Sequence, residues 1–443
     1  MHVVILAEFA SPSGGAEKVA LESARGLAEI GLRVTYVQGV AGPVDPLLDH
    51  RNVTRVCLGL PDVWARNPLA AAAAGIWHAR AARALQDALG RLASAPDVVH
   101  LHQWTRSLSP AVFPVLLATG APVVLTLHDY FLACPNGVHY RFDAGEPCAL
   151  APMSAACILA PCDARSRLHK LVRVARTAAA RRAVSGRGLH VVHVCDASRT
   201  RMGAMLGGYG LTHHRIDNPV RVAPAAPAAP EAGDAVAYVG RLTREKGADL
   251  VAAAAREAGL TALFVGTGPL EAELAAMPGV ELLGWRSPEA VQAELRARAR
   301  ALAAPSRWYE TGPLTVYEAL AAGIPAVASD RSGAAEKVLD GTSGFVVPPE
   351  PAALSAAFAR LSDDARVAAM GRAAHARYWA APMTLARHAE ASAALYANLR
   401  RASRAAMQHE SAGIAAETSA VHPRGRQADR LSQASVSSQN GRP

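Results

Sequence analysis

Charged residues are scarce in this 443-residue chain, at 19%, and aromatic residues are scarcer still, at 5%. No apolar run is long enough to span a bilayer without Gly, Pro or charge interrupting it. The first residues, MHVVILAEFA, lack the basic region and the cleavage site of a signal peptide. We therefore expect a cytoplasmic protein whose only contact with a membrane is peripheral.

The three-glycine fingerprint of dinucleotide-binding proteins is also missing. The first apolar run leads into EFASPSGGAEK, where only the adjacent Gly14 and Gly15 occur, and VGTGPLE at 265 falls short of the pattern. An oxidoreductase that uses a dinucleotide is therefore the least favoured class of enzyme.

The chain does have the length and the apolar content for two to three domains, since 51% of its residues are hydrophobic. Its formal net charge of +9 favours anionic ligands or an anionic surface, although only weakly. Nucleic acid is not an expected partner. Six cysteines in a reducing compartment are expected to be thiols or metal ligands rather than disulfides.

Short runs rich in β-branched residues alternate with helix-like stretches along the chain. The first group is HVVILA at 2, RVTYVQ at 33, DVVHL at 97, PVVLTL at 122 and HVVHV at 190. The second is AVAYVG at 235, TALFVG at 261, VELLG at 280, RALAAPS at 300, PAVAS at 325 and GFVVP at 344. The alternation is typical of parallel sheets covered by helices, and it predicts an α/β protein with two open Rossmann-like domains.

The domain boundaries follow from composition. We expect an N-terminal domain over 1–219 with a cysteine-rich insertion at 134–162, a Pro/Ala linker at 220–233, a C-terminal domain over 234–380, a helix at 381–401 that crosses back to the first domain, and a disordered tail over 402–443. Ligands of such sheets bind at the carboxyl ends of the strands, so a cleft between the two domains is the expected site.

Two loops are suited to phosphate. Gly14 and Gly15 precede a helix, where glycine lets the backbone approach a ligand and the helix N-terminus favours an anion. In YVGRLTREKGADL, Arg241 and Lys246 follow a strand and suit a diphosphate. The alternatives are an ordinary tight turn in the first loop and solvated surface charges in the second.

The stretch RWYETGPLTVYEALAAGIPAVASD at 307–330 contains two acids and a Gly-Pro break. The break predicts a helix start, which places Glu310 in the loop and Glu318 in the second helical turn. Helix amides that lack partners, with acids beside them, suit a ligand that is both phosphate and sugar. The predicted contacts are Glu310, Gly312, Leu314, Thr315 and Glu318. Alternatively, both acids are plain surface residues.

Together these motifs resemble the retaining glycosyltransferases of family 4, whose GT-B architecture has two Rossmann-like domains facing across a cleft. The resemblance runs from Met1 to about Arg400. It rests on the order and spacing of GGAEKVA, HDYFLACPNG at 128, NPV at 218, VGRLTREKG at 239, VGTGPLE at 265, APSRWYETGPLTVYEALAAGIPAVAS at 304 and GFVVPP at 344.

The resemblance implies a nucleotide-sugar donor and a role for each matching residue. Arg241 and Lys246 would bind the donor diphosphate, Glu318 the ribose hydroxyls, and Gly15 would let the first loop close over the diphosphate. The two residues expected at the reacting sugar are His128 and Glu310. The ETGP sequence departs from the more common Glu-Gly-Phe-Gly of the family, which leaves the identity of the hexose open.

The expected reaction is transfer of a sugar, with retained configuration and without a metal, to a saccharide or lipid-linked saccharide acceptor in surface polysaccharide biosynthesis (capsule, exopolysaccharide or lipopolysaccharide). The expected mechanism is front-side, with the leaving phosphate taking the acceptor proton, because spacing alone does not make Glu310 a nucleophile. The alternatives are a nucleotide-sugar 2-epimerase and a non-catalytic nucleotide-sugar-binding module.

Four of the cysteines, Cys134, Cys148, Cys157 and Cys162, lie in one loop rich in Gly and Pro. Four thiolates suit a structural zinc site, although the short Cys-x-x-Cys spacing is missing. Free thiols packed in the loop are the alternative.

The segment 165–187 that follows contains eight Lys or Arg residues and no acid, with an apolar side formed by Leu168, Leu171, Val172 and Ala175. It predicts a basic amphipathic helix that rests on an anionic membrane, on the inner face of the cell membrane. Alternatively, the apolar side packs on the domain and the charges are solvated.

Overall fold

Two parallel sheets, one in each half of the chain, organise the computed structural model, which describes the backbone of residues 1–420. In the first half the strands are β1 (His2–Ala7), β2 (Arg33–Val40), β3 (Val53–Leu60), β4 (Val98–Leu101), β5 (Val123–Leu127), β6 (Tyr140–Arg141), β7 (Glu146–Pro147), β8 (His190–His193) and β9 (Thr212–Arg215). The helices there are α1 (Gly15–Glu29), α2 (Pro68–Ile76), α3 (Ala79–Gly90), α4 (Val112–Leu117), α5 (Ala155–Leu159), α6 (Arg167–Val184) and α7 (Asp196–Leu206).

The second half repeats this organisation with fewer strands. Its strands are β10 (Ala235–Val239), β11 (Thr261–Val265), β12 (Val280–Leu282), β13 (Ala299–Ala304), β14 (Ala326–Ser329) and β15 (Gly344–Val347). Its helices are α8 (Ala248–Glu257), α9 (Glu271–Ala275), α10 (Pro288–Arg298), α11 (Leu314–Ala321), α12 (Pro351–Ala359), α13 (Asp364–Ala380) and α14 (Leu385–Ala420). Single 3₁₀ turns lie at Pro46–Leu48, Val63–Ala65, Pro230–Ala232, Gly333–Lys337 and Arg360–Ser362.

The strand orders are those of doubly wound sheets. The first sheet runs β3-β2-β1-β4-β5-β8-β9 and the second β12-β11-β10-β13-β14-β15, with parallel pairing throughout both. Both orders reverse direction beside the first strand of the sheet, which is where such sheets bind ligands. The predicted α/β class with two Rossmann-like domains is confirmed.

Every strand that the apolar runs predict is present, but they do not predict the edge strands β3 and β9 or the short pair β6 and β7. β9 has the sequence THHR, without an aliphatic residue, and β3 alternates exposed and partly buried positions. Edge strands are covered on fewer sides than central ones, so their sequences need fewer apolar residues. Hydrophobic periodicity therefore identifies the central strands and not these two.

The last helix, α14, packs against α1 of the first half. A Cβ on Gly26 would lie 3.0 Å from the Ala389 Cβ, so glycine permits this close contact. The Tyr396 hydroxyl is hydrogen-bonded to His100 in the first sheet. The helix continues to residue 420, which corrects the predicted tail over 402–420, while 421–443 lie outside the described residues. In the described part of the chain, no helix has the length and hydropathy needed to cross a bilayer.

Candidate functional site

Lys246 and Glu310 meet at the carboxyl edge of the second sheet. Lys246 follows β10 and Glu310 follows β13, its neighbour in the sheet, and the Lys246 Nζ lies 2.8 Å from the Glu310 Oε1. The Ser306 hydroxyl donates to the other oxygen of Glu310. Burial alone would raise the pKa of Glu310, but the charge and the hydrogen bond of Lys246, with Ser306, lower it. The pair is therefore an ammonium held beside a carboxylate.

Arg241 lies in the same loop as Lys246 but faces solvent. Its side chain is 70% exposed and lies 3.6 Å from Glu245. At 3.6 Å this contact with Glu245 is long for an ion pair, so the exposed guanidinium can turn toward an anion at the mouth of the site.

Helix α11 begins as the Gly-Pro break predicts. Gly312 has a φ of +127°, which L-residues with a side chain rarely adopt, and Pro313 caps the helix. The first-turn amides of Leu314 and Thr315 have no acceptor within the helix, as at any helix N-terminus. They lie at the end of the same loop as Glu310, so a phosphate near Lys246 would also meet the positive end of this helix.

Glu318 forms an ion pair with Lys18 from the other half. The Lys18 Nζ lies 2.9 Å from the Glu318 Oε1, and both side chains are largely buried. The sequence gives a signal for Lys18, since it lies in α1 one turn after Gly14 and Gly15, but we did not predict it as a site residue. Gly14 is the extended N-cap of α1, and no heavy atom lies within 4 Å of a Cβ built on Gly15.

A cavity of about 410 Å³ separates α1 from α10 and α11. Its walls include Lys18, Glu22, Arg221, Gln292 and Glu318. Both carboxylate oxygens of Glu22 are buried without a hydrogen-bond partner among the described residues. Burial raises the pKa of Glu22 to about 7, although Lys18 acts in the opposite direction. A cavity of this size with polar groups on its wall is suited to a small-molecule ligand.

His128 follows β5, and its backbone carbonyl accepts a hydrogen bond from the second half. Its Nε2 lies 3.1 Å from the Nδ1 of His102, and the two rings are stacked with centroids 5.3 Å apart. Burial lowers the pKa of His128 to about 3, and the charge of His388 acts in the same direction. His128 is therefore neutral, which suits it to hydrogen bonding rather than to charge. His102 is a further residue that sequence reasoning missed, although it directly follows β4 in the run HLH.

The loop that carries Glu310 also contacts the first half directly. The Thr311 hydroxyl donates to the backbone carbonyl of His128 at 2.8 Å. Tyr309, in turn, lies under the guanidinium of Arg201 and near the ring of His139. The structure thus brings the backbone of His128 and the loop of Glu310 together across the cleft.

The four loop cysteines that the sequence predicts as zinc ligands are buried. Within residues 1–420, no three Cys, His, Asp or Glu side chains are placed to hold a metal ion together. Instead, Lys170 donates to the Cys162 sulfur at 2.8 Å and the Cys134 thiol contacts the Asn136 Oδ1 at 3.1 Å. Burial raises the pKa of Cys134 to about 11, so it is a neutral thiol. In this arrangement Cys134, Cys148, Cys157 and Cys162 are packed as free thiols.

Comparisons with known proteins match the two halves separately. The family model "Glycosyl transferase 4-like domain" matches residues 14–168, and the model "Glycosyl transferases group 1" matches residues 233–364. Between them they include the glycine loop, His128, Lys246, Glu310 and Glu318.

Two curated relatives match over shorter segments. An exopolysaccharide phosphotransferase of Streptomyces coelicolor is 42% identical over 99 residues, 22% of this chain and 10% of that protein. An alpha-D-kanosaminyltransferase of Streptomyces kanamyceticus is 33% identical over 142 residues, 29% of this chain and 36% of that protein. The matched segments thus span well under half of the length of either relative.

Solved structures match over most of the chain. A sucrose-phosphate synthase from Thermosynechococcus elongatus has a TM-score of 0.69 at 18% identity, with 90% of this chain and 99% of that chain covered. HepE of Anabaena in complex with UDP-glucose has a TM-score of 0.59 at 20% identity, with 90% and 100% covered. At such identities the likeness shows the shared GT-B fold.

Proposed function

Because the chain belongs to the group 1, family 4-like glycosyltransferases, we propose that it transfers a sugar with retained configuration from a nucleotide-diphosphate sugar to a saccharide or lipid-linked acceptor. The observation that carries the proposal is the meeting of Lys246, Glu310 and the N-terminus of α11 at one sheet edge, facing His128 across the cleft.

The proposed donor lies with its diphosphate between the two halves. Lys246, Arg241 and the amides of Leu314 and Thr315 supply positive charge for it, and Gly14 and Gly15 leave space for it on the other side. Glu318 then accepts from the ribose hydroxyls with the oxygen that Lys18 does not occupy. HepE, a protein of the same fold, has been solved with UDP-glucose, and it supports a nucleotide-sugar donor here.

The proposed transfer step is a front-side exchange. The bond between the anomeric carbon and the diphosphate oxygen breaks, the acceptor hydroxyl oxygen bonds to that carbon on the same face, and its proton passes to the leaving phosphate. Lys246, Arg241 and the helix amides carry the charge that develops on the diphosphate, so we propose that this step needs no metal. Neutral His128 lies beside the sugar as a hydrogen-bonding residue.

We propose surface polysaccharide assembly at the inner face of the cell membrane, where segment 165–187 meets anionic lipid. By their names, one relative is an exopolysaccharide phosphotransferase and the other transfers a kanosaminyl group, so only the second supports glycosyl transfer and the two together support no single acceptor.

A thermal-shift screen against nucleotide sugars tests the donor. A ligand at about 100 times its dissociation constant adds about 2.7 kcal/mol to stability, which is readily measured. Lys246→Met is the control, and it should lose the shift. Retention is then read from the anomeric configuration of the product by NMR. No shift with any nucleotide sugar would contradict a nucleotide-sugar donor and the epimerase alike. Free nucleotide diphosphate released at full rate without an acceptor would contradict the transferase and favour the epimerase.

A further inference from the structure

Helix α6 presents part of its predicted apolar side to solvent, while Val172 and Ala175 of that side are half-buried. Leu168 and Leu171, one turn apart on the same face, are 72% and 54% exposed. Lys170 and Arg176, on the opposite side, are only 2% and 7% exposed. The N-terminal part of the helix therefore buries cations and presents leucines to solvent, which reverses the usual arrangement of a surface helix, whereas its C-terminal part buries Ala180, Ala183 and Val184.

The buried cations explain this orientation. Lys170 donates to the Cys162 sulfur, Arg173 pairs with the buried Asp163 at 3.1 Å, and the Arg176 guanidinium lies 4.4 Å from the centre of the Phe131 ring. These contacts attach α6 to the cysteine loop just after His128. Because that face of the helix is committed to the loop, the leucines are left on the outside.

More leucines are exposed on the elements that pack against α6. The helices α2 and α5 both contact α6, and they carry Leu69 and Leu159, which are 84% and 80% exposed. We call Leu69, Leu159, Leu168 and Leu171 the leucine ridge. Exposed leucines scattered singly are ordinary, but a set on three adjoining helices in one region marks an interaction surface.

The two segments that carry the leucine ridge are strongly basic in sequence. Segment 63–86 contains no acid, and segment 155–187 contains only Asp163, which is buried and paired. The exposed cations of the two segments are Arg80, Arg83, Arg165, Arg167, Arg181, Arg182 and Arg187. Apolar side chains that project from a field of cations fit a bilayer surface with acidic headgroups, where leucine enters the acyl boundary and arginine meets phosphate.

We propose that the leucine ridge inserts into the interfacial layer of an anionic phospholipid bilayer. Electrostatic attraction of the arginines brings the protein to the surface, and burial of the leucines holds it there. Insertion of the leucine ridge specifies how the protein would bind the membrane at which the proposed function places it. It rests on the proposed function only because a lipid-linked acceptor would explain why the protein binds a membrane. The surface itself is independent of the donor site.

The test is flotation of the full chain with vesicles of phosphatidylcholine alone and with about 30% phosphatidylglycerol added. We expect binding to the anionic vesicles only. Leu168→Ser with Leu171→Ser should weaken that binding by about tenfold or more, since each leucine loses its burial in the membrane. Leu339→Ser, at a leucine 46% exposed in the second half, is the matched control and should bind as the wild type does.

Three outcomes would overturn the proposal. They are no binding to anionic vesicles, equal binding to both vesicle types, and unchanged binding of the double variant. A dimer by size exclusion that the double variant loses would assign the ridge to a second copy instead. Equal melting temperatures and equal thermal shifts with nucleotide sugar show that the variants fold and keep the donor site, so failure here and failure of the proposed function are distinguishable.

Discussion

The carboxylate of Glu310 has both oxygens engaged, one by the Lys246 ammonium at 2.8 Å and the other by the Ser306 hydroxyl. A nucleophile needs a free oxygen that can reach the anomeric carbon. We therefore expect Glu310 to position Lys246 and not to attack the sugar. Glu310→Gln should lower kcat/KM by about 10- to 150-fold, the value of one charge-assisted hydrogen bond, as measured by steady-state kinetics.

The double variant of Glu310→Gln and Lys246→Met is the control for that assignment. Two residues that act as one unit are non-additive, so the double variant should be little worse than Lys246→Met alone. A loss in kcat of more than about 10⁴-fold in Glu310→Gln, with a covalent glycosyl adduct visible by mass spectrometry in the wild type, would instead show a nucleophile.

The same pair predicts how stability depends on pH. The folded-state pKa of Glu310 lies below its usual value of 4.5, so the carboxylate contributes stability above pH 4.5 and loses it as the pH falls through the folded-state pKa. The difference in melting temperature between the wild type and Glu310→Gln should therefore be constant near neutral pH and shrink below 4.5. A difference that instead shrinks as the pH rises would contradict the lowered pKa.

Gly15 and Gly312, at the starts of α1 and α11, differ in whether they leave space for a side chain. At the start of α1, no heavy atom lies within 4 Å of a Cβ on Gly15, so Gly15→Ala should melt at or above the wild-type temperature. If the donor diphosphate occupies that space, the KM for nucleotide sugar should rise by about tenfold, the cost of a modest steric conflict. An unchanged KM would place the diphosphate elsewhere.

Gly312→Ala, before α11, is the contrasting variant. Its φ of +127° strains any side chain, and the new Cβ would lie 2.9 Å from the Tyr317 hydroxyl. We expect a loss of about 1–3 kcal/mol in the free energy of unfolding, measured by denaturant titration. A stability equal to that of the wild type would mean that the loop relaxes without cost.

At the level of elements, much of the fold was predictable because buried parallel strands need continuous apolar runs. The start of α11 was predictable because a Gly-Pro pair is a local signal for a helix start. The Lys18–Glu318 pair joins residues 300 positions apart, and no local pattern encodes such a contact. The orientation of α6 was likewise hidden, because amphipathicity tells which residues share a face and not which face is covered. The four loop cysteines lie close together in the sequence, but that proximity does not predict their hydrogen-bond partners. Lys170 donates to the Cys162 sulfur, and the Cys134 thiol donates to Asn136.

Across the whole molecule, the two halves are joined at the cleft chiefly by polar contacts. Lys18 pairs with Glu318 at 2.9 Å and Lys337 pairs with Asp217 at 2.8 Å. Thr311 adds the hydrogen bond to the His128 carbonyl. Partly exposed ion pairs contribute about 0.5–1 kcal/mol each, so the closed arrangement is only modestly favoured over an open one. A donor that contacts both halves would favour the closed arrangement further.

Removing both lysines that bridge the halves should therefore open the cleft. In Lys18→Met with Lys337→Met, a loss of about 1–2 kcal/mol shifts the balance of closed and open forms by about 5- to 30-fold, and the radius of gyration from X-ray scattering should rise above that of the wild type. Arg298→Met is the control, since it removes ion pairs with Asp234 and Glu281 inside the second half and should leave the radius unchanged. Equal radii for all three proteins would mean that contacts other than these ion pairs, such as the packing of α14 on α1, hold the halves together.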